Sequence, residues 1–287
     1  MVPVRDWDAA AAERWYRDPV PEDDKYARGV VGFRTGSERY PGAAVLGVEA
    51  AWRTGIGMVR YPGPRRAADL VLARRPETVT ADGRVQAWVV GSGTDAADRP
   101  EEETAALREI LDGSVPVVAD AGALVLAARA RAPRLLTPHA SEHDRLRVEL
   151  GLAPAPARNE ASRLAAVRET AHASGAVVLL KGAVTLVAAP SGWTARVEAG
   201  TPWLATAGTG DVLAGVLGAL VAAHQDAAAG DAEALAALAA TGAWLHGQAA
   251  RLAVAASGGP IVALDVAEAL PRAVAVLRAH GTGEPPA

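Results

Sequence analysis

The chain has 287 residues, which is enough to bury a sizeable core and favours one large α/β domain. Hydrophobic residues make up 50% and charged residues 22%, which is typical of a globular protein. The net charge of -4 offers no basic surface for nucleic acid. There are no cysteines, which excludes disulfides, thiolate metal sites and cysteine nucleophiles. We therefore expect small molecules, or further copies of the chain, as partners.

The N-terminal segment and the longest apolar run predict where in the cell the protein is found. The N-terminal segment carries acids and tryptophans where a signal peptide would have a basic stretch and an apolar core. The apolar run from Val212 to Ala223 is far shorter than the roughly 20 residues of a membrane-spanning helix. These features predict a cytoplasmic protein that does not bind membranes. Residues 1–24 are expected to form an arm, residues 25–280 the domain, and residues 281–287 a frayed tail.

From Gly29 onward, short apolar runs alternate with Ala- and Leu-rich helical patterns, which predicts βα units around a largely parallel sheet. Seven runs read as strands, beginning at Gly29, Gly57, Trp88, Val115, Arg134, Ala176 and Val184. The turn signal PSG at residues 190–192 separates two strand-like runs and predicts an antiparallel hairpin late in the sheet. Three helices are expected after it, over residues 208–224, 231–256 and 265–279, the last with Asp265 as its N-cap.

The segment TAGTGD places glycines around one acid, immediately before an apolar, helix-forming run. Glycine lets the backbone turn tightly and expose its N–H groups, and the N-terminus of the following helix carries positive partial charge. Residues Gly208 to Asp211 are therefore a candidate anion site suited to phosphate. Taken alone, an aspartate before a helix is more typical of a helix cap, so Asp211 has both interpretations.

Two further turns carry polar side chains at predicted strand ends. Lys181 ends a buried strand in LLKGAVT, so its ammonium either reaches solvent or meets an anion such as phosphate. In LLTPHASE, Pro138 ends the strand and Ser141 is expected to cap the next helix. His139 is left in the turn, as a solvated residue or as a group that binds a ligand or handles protons.

Two glycine turns add possible ligand contacts. The segment VVGSGTD lacks the third glycine of a dinucleotide fingerprint, and predicts a tight turn at Gly93 that lets a ligand approach. The segment RTGSERYPGA places Pro41 and Gly42 at the start of the helix that contains Ala43. The sequence has no Walker A, HExxH or GxSxG pattern and no histidine cluster at metal-ligand spacing, so any metal is expected to arrive with a nucleotide.

Taken in order, these segments resemble the ADP/ATP-dependent NAD(P)H-hydrate dehydratases of the ribokinase-like superfamily. The resemblance rests on DKYARG, GSERYPGA, VVGSGTD, VVADAGAL, LLTPHASE, LLKGAVT, LATAGTGDVLAGVLGALVA, WLHG and ALDV. It implies a three-layer α/β/α fold with a central, mostly parallel sheet. It also implies that hydrated NADH or NADPH is returned to the reduced dinucleotide with ADP or ATP as co-substrate, through phosphorylation of the ring hydroxyl and elimination of phosphate.

The resemblance also implies roles for particular residues. Asp211 would be the base at the substrate hydroxyl, and the amides of Gly208 to Gly210 would stabilise developing negative charge. The adenine nucleotide would be held by one loop and one glycine of the turn: Lys181, Gly182, Ala183, Val184, Thr185 and Gly210. The hydrated dinucleotide would contact four residues from separate turns: Ala43, Gly93, His139 and Asp211. Mg²⁺ would accompany the phosphates, held mainly by them and by water.

Several positions depart from the family pattern. The segment GSGTD has Asp95 where the family has glycine, and TPHASE lacks a Pro-Gly turn but keeps Glu142. The segment DAGAL keeps Asp120 but has Gly122 in place of a second acid, and Thr201 stands where asparagine is expected. These departures concern the substrate contacts more than the role of Asp211 as the base.

Many relatives carry an epimerase domain, for which this chain has no room, so we expect a stand-alone homotetrameric dehydratase that works with a separate epimerase. Two alternatives remain open. A small-molecule kinase of the same superfamily, acting on a hydroxymethylpyrimidine or a thiazole alcohol, would release a stably phosphorylated product. A non-catalytic sensor would bind nucleotides without changing the hydrate.

Overall fold

The computed structural model describes residues 3–156 and 159–282. Its strands form a single sheet: β1 (Val4–Asp6), β2 (Val30–Arg34), β3 (Met58–Arg60), β4 (Ala87–Val90), β5 (Val117–Ala119), β6 (Arg134–Leu136), β7 (Val177–Leu180), β8 (Thr185–Ala188) and β9 (Thr194–Val197). The order across the sheet is β1-β9-β8-β7-β6-β5-β4-β2-β3. Among the described strands only β8 runs antiparallel to its neighbours, which confirms the mostly parallel sheet and the late hairpin.

Helices cover both faces of the sheet. They are α1 (Ala9–Glu13), α2 (Gly42–Thr54), α3 (Arg65–Arg74), α4 (Glu101–Asp112), α5 (Leu124–Ala127), α6 (Ala140–Glu149), α7 (Glu160–Ser174), α8 (Thr209–Ala223), α9 (Gln225–Gly230), α10 (Ala232–Ser257) and α11 (Ala263–Thr282). Helices α2, α8, α10 and α11 build one apolar core, and α4 to α7 build a second core on the opposite face. This arrangement confirms the expected three-layer α/β/α architecture.

The central strands are apolar without alternation because both of their faces are buried. Val118 of β5 enters the core beneath α8 and α10, whereas its neighbours Val117 and Ala119 enter the other core. Small residues let the helices of the first core approach closely. A Cβ added at Gly215 of α8 would lie 2.1 Å from the carbonyl oxygen of Gly47 in α2. The helix that follows the TAGTGD turn is therefore fixed against a rigid neighbour.

The segment expected to form an arm contains a short strand, β1, and a short helix, α1, among its described residues 3–24. Strand β1 pairs in parallel with β9 at the edge of the sheet. The buried Trp7 packs edge-to-face on Trp193, with ring centroids 5.6 Å apart, and Ala12 of α1 is fully buried. The sequence prediction misses β1 because it is only three residues long and two of them are exposed.

The C-terminal helix differs from its prediction at both ends. Helix α11 begins at Ala263, so Asp265 is not the N-cap but a residue of the first turn. Its carboxylate reaches back and accepts a hydrogen bond of 2.8 Å from the Val262 amide. Of the expected tail, residues 281–282 belong to α11, and residues 283–287 lie outside the described residues. Within the described part of the chain, no helix combines the length and the apolar character needed to cross a membrane.

Candidate active site

A buried carboxylate lies at the carboxyl edge of the parallel strands, where neighbouring strand ends meet. Asp120 directly follows β5 and is only 3% exposed. Its Oδ1 accepts hydrogen bonds of 2.8 Å from Thr137 Oγ1 and from Lys181 Nζ, which follow β6 and β7. Its Oδ2 accepts a hydrogen bond of 3.3 Å from Ser92 Oγ, after β4. Four adjacent strands thus contribute to one polar cluster around Asp120.

Lys181 is the cation of this cluster. Its Nζ lies 2.8 Å from Asp120 Oδ1 and 3.8 Å from Glu142 Oε2. Burial disfavours the charged ammonium, but the carboxylates of Asp120 and Glu142 outweigh it and raise the pKa of Lys181. The lysine is therefore protonated at neutral pH and, rather than pointing into solvent, meets an anion that belongs to the protein itself.

Asp211 faces the same cluster from the first turn of α8. Helix α8 begins at Thr209 with Gly208 as its N-cap, so the interpretation of Asp211 as the cap is wrong. Burial, and then the negative charge of Asp120, raise the pKa of Asp211 to about 7, against the opposing effect of Lys181. A carboxyl group with this pKa exchanges a proton near neutral pH, as a general base must.

The glycine turn before Asp211 presents backbone to the cluster. Gly208 has a φ of +90°, and a Cβ added there would lie 2.6 Å from Leu46 Cδ1. At Gly210 an added Cβ would lie 3.6 Å from Lys181 Nζ, so the turn and the ammonium border the same space. The hydroxyl of Thr209 donates to the carbonyls of Leu204 and Thr206, both at 2.9 Å, and fixes the turn. The Thr209 amide donates to the Thr206 carbonyl at 3.4 Å. The amides of the flanking Gly208 and Gly210 are therefore the candidates for binding an anion at the start of α8.

The turn after β6 has a different cap from the one expected. His139, not Ser141, is the N-cap of α6, and its Nδ1 accepts hydrogen bonds from the Ser141 and Glu142 amides. The Glu142 carboxylate in return accepts a hydrogen bond of 2.8 Å from the His139 amide. The imidazole remains 52% exposed, so it can still meet a ligand. The capping box explains how TPHASE forms a defined turn without a Pro-Gly pair.

Gly93 and Ala43 come together from two separate turns. A Cβ added at Gly93, which has a φ of +67°, would lie 2.4 Å from Ala43 Cβ and 3.0 Å from the Tyr40 carbonyl oxygen. Ala43 belongs to α2, and one turn later a Cβ at Gly47 would lie 3.5 Å from the Asp211 carbonyl oxygen. The two predicted substrate contacts therefore border the cluster on the side of α2.

The loop from Lys181 to Thr185 joins β7 to β8 and is held from α7. The Arg163 guanidinium donates to the Val184 carbonyl at 3.0 Å and to the Lys181 carbonyl at 3.4 Å. Gly182 and Ala183 are exposed at the tip of the loop. The six residues predicted to bind the nucleotide thus lie in one loop and in the glycine turn that borders it.

Residues 31–272 match the family described as NAD(P)H-hydrate dehydratase. The chain belongs to this family. The bifunctional NAD(P)H-hydrate repair enzyme Nnr of Mycobacterium tuberculosis is 47% identical over an alignment of 223 positions, which covers 74% of this chain and 44% of that protein. The chain thus spans less than half the length of this relative. The ADP-dependent (S)-NAD(P)H-hydrate dehydratase of Neisseria meningitidis serogroup B is 37% identical over an alignment of 276 positions, which covers 90% of this chain and 88% of that protein.

A solved structure of the dehydratase family has the same fold. The ADP/ATP-dependent NAD(P)H-hydrate dehydratase from Bacillus subtilis, co-crystallised with ATP and Mg²⁺, has a TM-score of 0.80 at 25% sequence identity. The likeness covers 96% of this chain and 100% of that one. It confirms the predicted ribokinase-like fold.

Two departures from the dehydratase pattern are connected in space. A Cβ added at Gly122 would lie 2.3 Å from the Thr94 carbonyl oxygen and 2.6 Å from Thr94 Oγ1. No side chain fits at Gly122 while the turn of GSGTD lies there. The path of this turn therefore requires glycine at 122, and the contact is made by the residue next to the departure at Asp95.

Four residues of the cluster were not among the predicted site residues: Ser92, Asp120, Thr137 and Glu142. Asp120 carried the clearest signal, because it ends the buried run VPVVAD with a carboxylate. Its central position becomes visible only when the strand order places β5 between β4 and β6.

Proposed function

We propose that this protein is an ADP-dependent dehydratase that returns the S epimer of hydrated NADH or NADPH to the reduced dinucleotide. The observation that carries the proposal is a carboxyl group with a pKa of about 7, Asp211, placed beside a glycine turn and the Lys181 ammonium. This pairing of a base with an anion-binding turn suits phosphoryl transfer to a hydroxyl. The dehydratase relatives from Neisseria meningitidis and Bacillus subtilis support the choice of substrate.

The proposed reaction has two steps. Asp211 takes the proton of the ring hydroxyl while the hydroxyl oxygen attacks the terminal phosphorus of ADP. AMP leaves and a phosphate ester forms on the ring. The amides of Gly208 and Gly210 stabilise the charge on the transferring phosphoryl group. Breaking of the ester C–O bond, with loss of a proton from the neighbouring ring carbon, then releases phosphate and restores the ring double bond. Phosphorylation thus turns a poor leaving group into a good one.

The binding roles in the proposal follow the positions of the predicted residues. The loop from Lys181 to Thr185, with Gly210, holds the adenine nucleotide, and its phosphates compete with Asp120 for the Lys181 ammonium. Ala43, Gly93 and the exposed imidazole of His139 hold the hydrated ring.

Magnesium fits the proposed site as part of the nucleotide. Among the described residues there is no group of three acids or histidines that could hold a metal ion. The carboxylate of Asp120 is already bonded to Lys181, Thr137 and Ser92. Mg²⁺ would therefore be held by the nucleotide phosphates and water, and would neutralise phosphate charge there.

The direct test incubates the purified protein with hydrated NADH, ADP and Mg²⁺ and follows the absorbance of the reduced nicotinamide. We expect its recovery with ADP, with AMP and phosphate as products, and none when the nucleotide is omitted. A phosphorylated product that accumulates without recovery of NADH would instead indicate a kinase. Nucleotide binding with unchanged hydrate would indicate a sensor. Repeating the assay with ATP in place of ADP and comparing the rates of NADH recovery gives the nucleotide preference.

The proposal includes a link to an epimerase, since the relative from Mycobacterium tuberculosis is named as bifunctional. With a mixture of the two hydrate epimers, turnover should stop when the S epimer is consumed and resume when an epimerase is added. We also propose a homotetramer that acts in the cytoplasm. Light scattering on the eluted protein and fractionation of cells test these two points.

A further inference from the structure

A cavity of about 780 Å³ opens between the turns that follow β2, β3 and β4. This volume lies in the range of about 300–1,000 Å³ that is usual for ligand pockets. Gly36 and Tyr40 line the cavity, and both also lie against Gly93. A Cβ added at Gly93 would be 3.2 Å from Gly36 Cα and 3.0 Å from the Tyr40 carbonyl oxygen. The cavity therefore shares a wall with the place proposed for the hydrated ring.

One turn connects the cavity to the polar cluster around Asp120. Ser92 donates its hydroxyl to Asp120 at 3.3 Å, while Thr94 and Asp95 of the same turn line the cavity. Only this turn therefore separates the cavity from the cluster around Asp120.

Arg99 is the lining cation that has no ion-pair partner among the described residues. Arg34 pairs with Glu103 at 2.5 Å, and Arg39 pairs with Asp98 at 3.2 Å. The Arg99 guanidinium donates only to the neutral carbonyl of Gly122, and its Nε is buried without a hydrogen-bond partner in the described structure.

A partly buried guanidinium without a bonded anion is costly, and burial lowers the pKa of Arg99 although Glu103 and Asp95 oppose this. The lining as a whole has four arginines and five carboxylates, so it is not a general site for anions. A phosphate in this cavity is therefore expected to contact Arg99 and not the lining in general.

The rim of the cavity adds an aromatic surface. Tyr40 is 50% exposed, and the Arg39 guanidinium lies 5.5 Å from the centre of its ring. Exposed aromatic rings stack with nucleobases. A nucleotide carries both a phosphate for the unpaired guanidinium and a base for the aromatic ring. These two groups in one cavity therefore suit a nucleotide better than they suit a sugar or a free acid.

We propose that this cavity holds the adenosine half of the hydrated dinucleotide, with Arg99 contacting one of its phosphates and Tyr40 stacking on the base. The proposal rests on the proposed function, because it assigns the distal half of that substrate to this cavity.

The test compares Arg99→Ala with the wild type, using hydrated NADH, hydrated NADPH and the hydrated reduced mononucleotide, which lacks the adenosine half. We expect KM for the dinucleotide hydrates to rise about ten- to a hundredfold, as loss of a charge-assisted hydrogen bond implies. The kcat, the KM for ADP and the KM for the mononucleotide should not change. Arg99→Lys should give an intermediate KM, and Tyr40→Ala a smaller rise. Arg108→Ala, on the exposed face of α4, is the matched control.

The two dinucleotide hydrates distinguish which phosphate Arg99 contacts. A rise confined to hydrated NADPH supports contact with the 2′-phosphate, and a rise with both dinucleotides supports contact with the pyrophosphate. An unchanged KM, or an equal loss with the mononucleotide, would overturn the proposal. If the wild type dehydrates no substrate, the proposed function fails. Calorimetric titration with NADP⁺ and NAD⁺ then still tests the cavity, because Arg99→Ala should weaken at least one of them and Arg108→Ala neither.

Discussion

Asp211→Asn should lower turnover by orders of magnitude and yet stabilise the fold. The structure raises the pKa of Asp211 from 3.8 to about 7, so the native state binds the proton more tightly than the unfolded chain does. The stability of the wild type therefore falls as the pH rises between about 4 and 7. Since one pKa unit is worth about 1.4 kcal/mol, ionisation of this group costs the fold up to about 4 kcal/mol at pH 8.

Asparagine keeps the shape of the side chain and removes this cost. We expect the variant to be more stable than the wild type by up to about 4 kcal/mol at pH 8, and by less than about 1 kcal/mol at pH 4, in urea unfolding. The turnover number should fall by about 10²–10⁴ because the base is lost. For the wild type, kcat/KM should rise with pH and reach half its maximum near pH 7.

Asp69→Asn is the matched control, because Asp69 is an exposed acid on α3 whose side chain is 70% exposed. It should change neither activity nor the pH dependence of stability. If Asp211→Asn shows the same stability difference from the wild type at pH 4 and pH 8, the raised pKa is wrong. If it turns over near the normal rate, Asp211 is not the base.

Three further substitutions test separate parts of the structure. Lys181→Met leaves the buried Asp120 without the ammonium 2.8 Å away, so we expect a loss of about 3–5 kcal/mol in chemical unfolding and weaker ADP binding in calorimetry. Gly208→Ala puts a Cβ 2.6 Å from Leu46 at a φ of +90°, so we expect the free energy of unfolding to fall by at least about 1–2 kcal/mol and kcat to fall as well. Its control is Gly259→Ala, where the added Cβ meets open space and should change neither stability nor kcat. Glu49 is bonded by three arginines that outweigh burial and lower its pKa to about 2. Glu49→Gln should therefore cost about 3 kcal/mol at pH 7, a difference that shrinks as the pH falls from 4.5 towards 2.

The sequence predicts the main strands because their apolar runs end at glycine, proline or a polar residue. It misses β1, whose three residues become a strand only by pairing with β9. Propensity cannot reveal a strand whose stability comes from a partner some 190 positions away.

At the site, the sequence predicts the residues at the strand ends but not their partners. Lys181 and Asp211 both reach the cluster, yet the carboxylate that joins them, Asp120, depends on the strand order. The sequence indicates His139 as a turn residue but does not reveal that it caps α6, because histidine is an unusual N-cap.

The close approach of Gly122 to Thr94 has a consequence for how this protein can diverge. A Cβ at position 122 would overlap both the backbone and the hydroxyl of Thr94. The nearest of these atoms is the backbone carbonyl oxygen, so an acid introduced at 122 would displace the turn whatever side chain stands at 94. An engineered library that restores an acid at 122 must therefore also vary the backbone path of this turn.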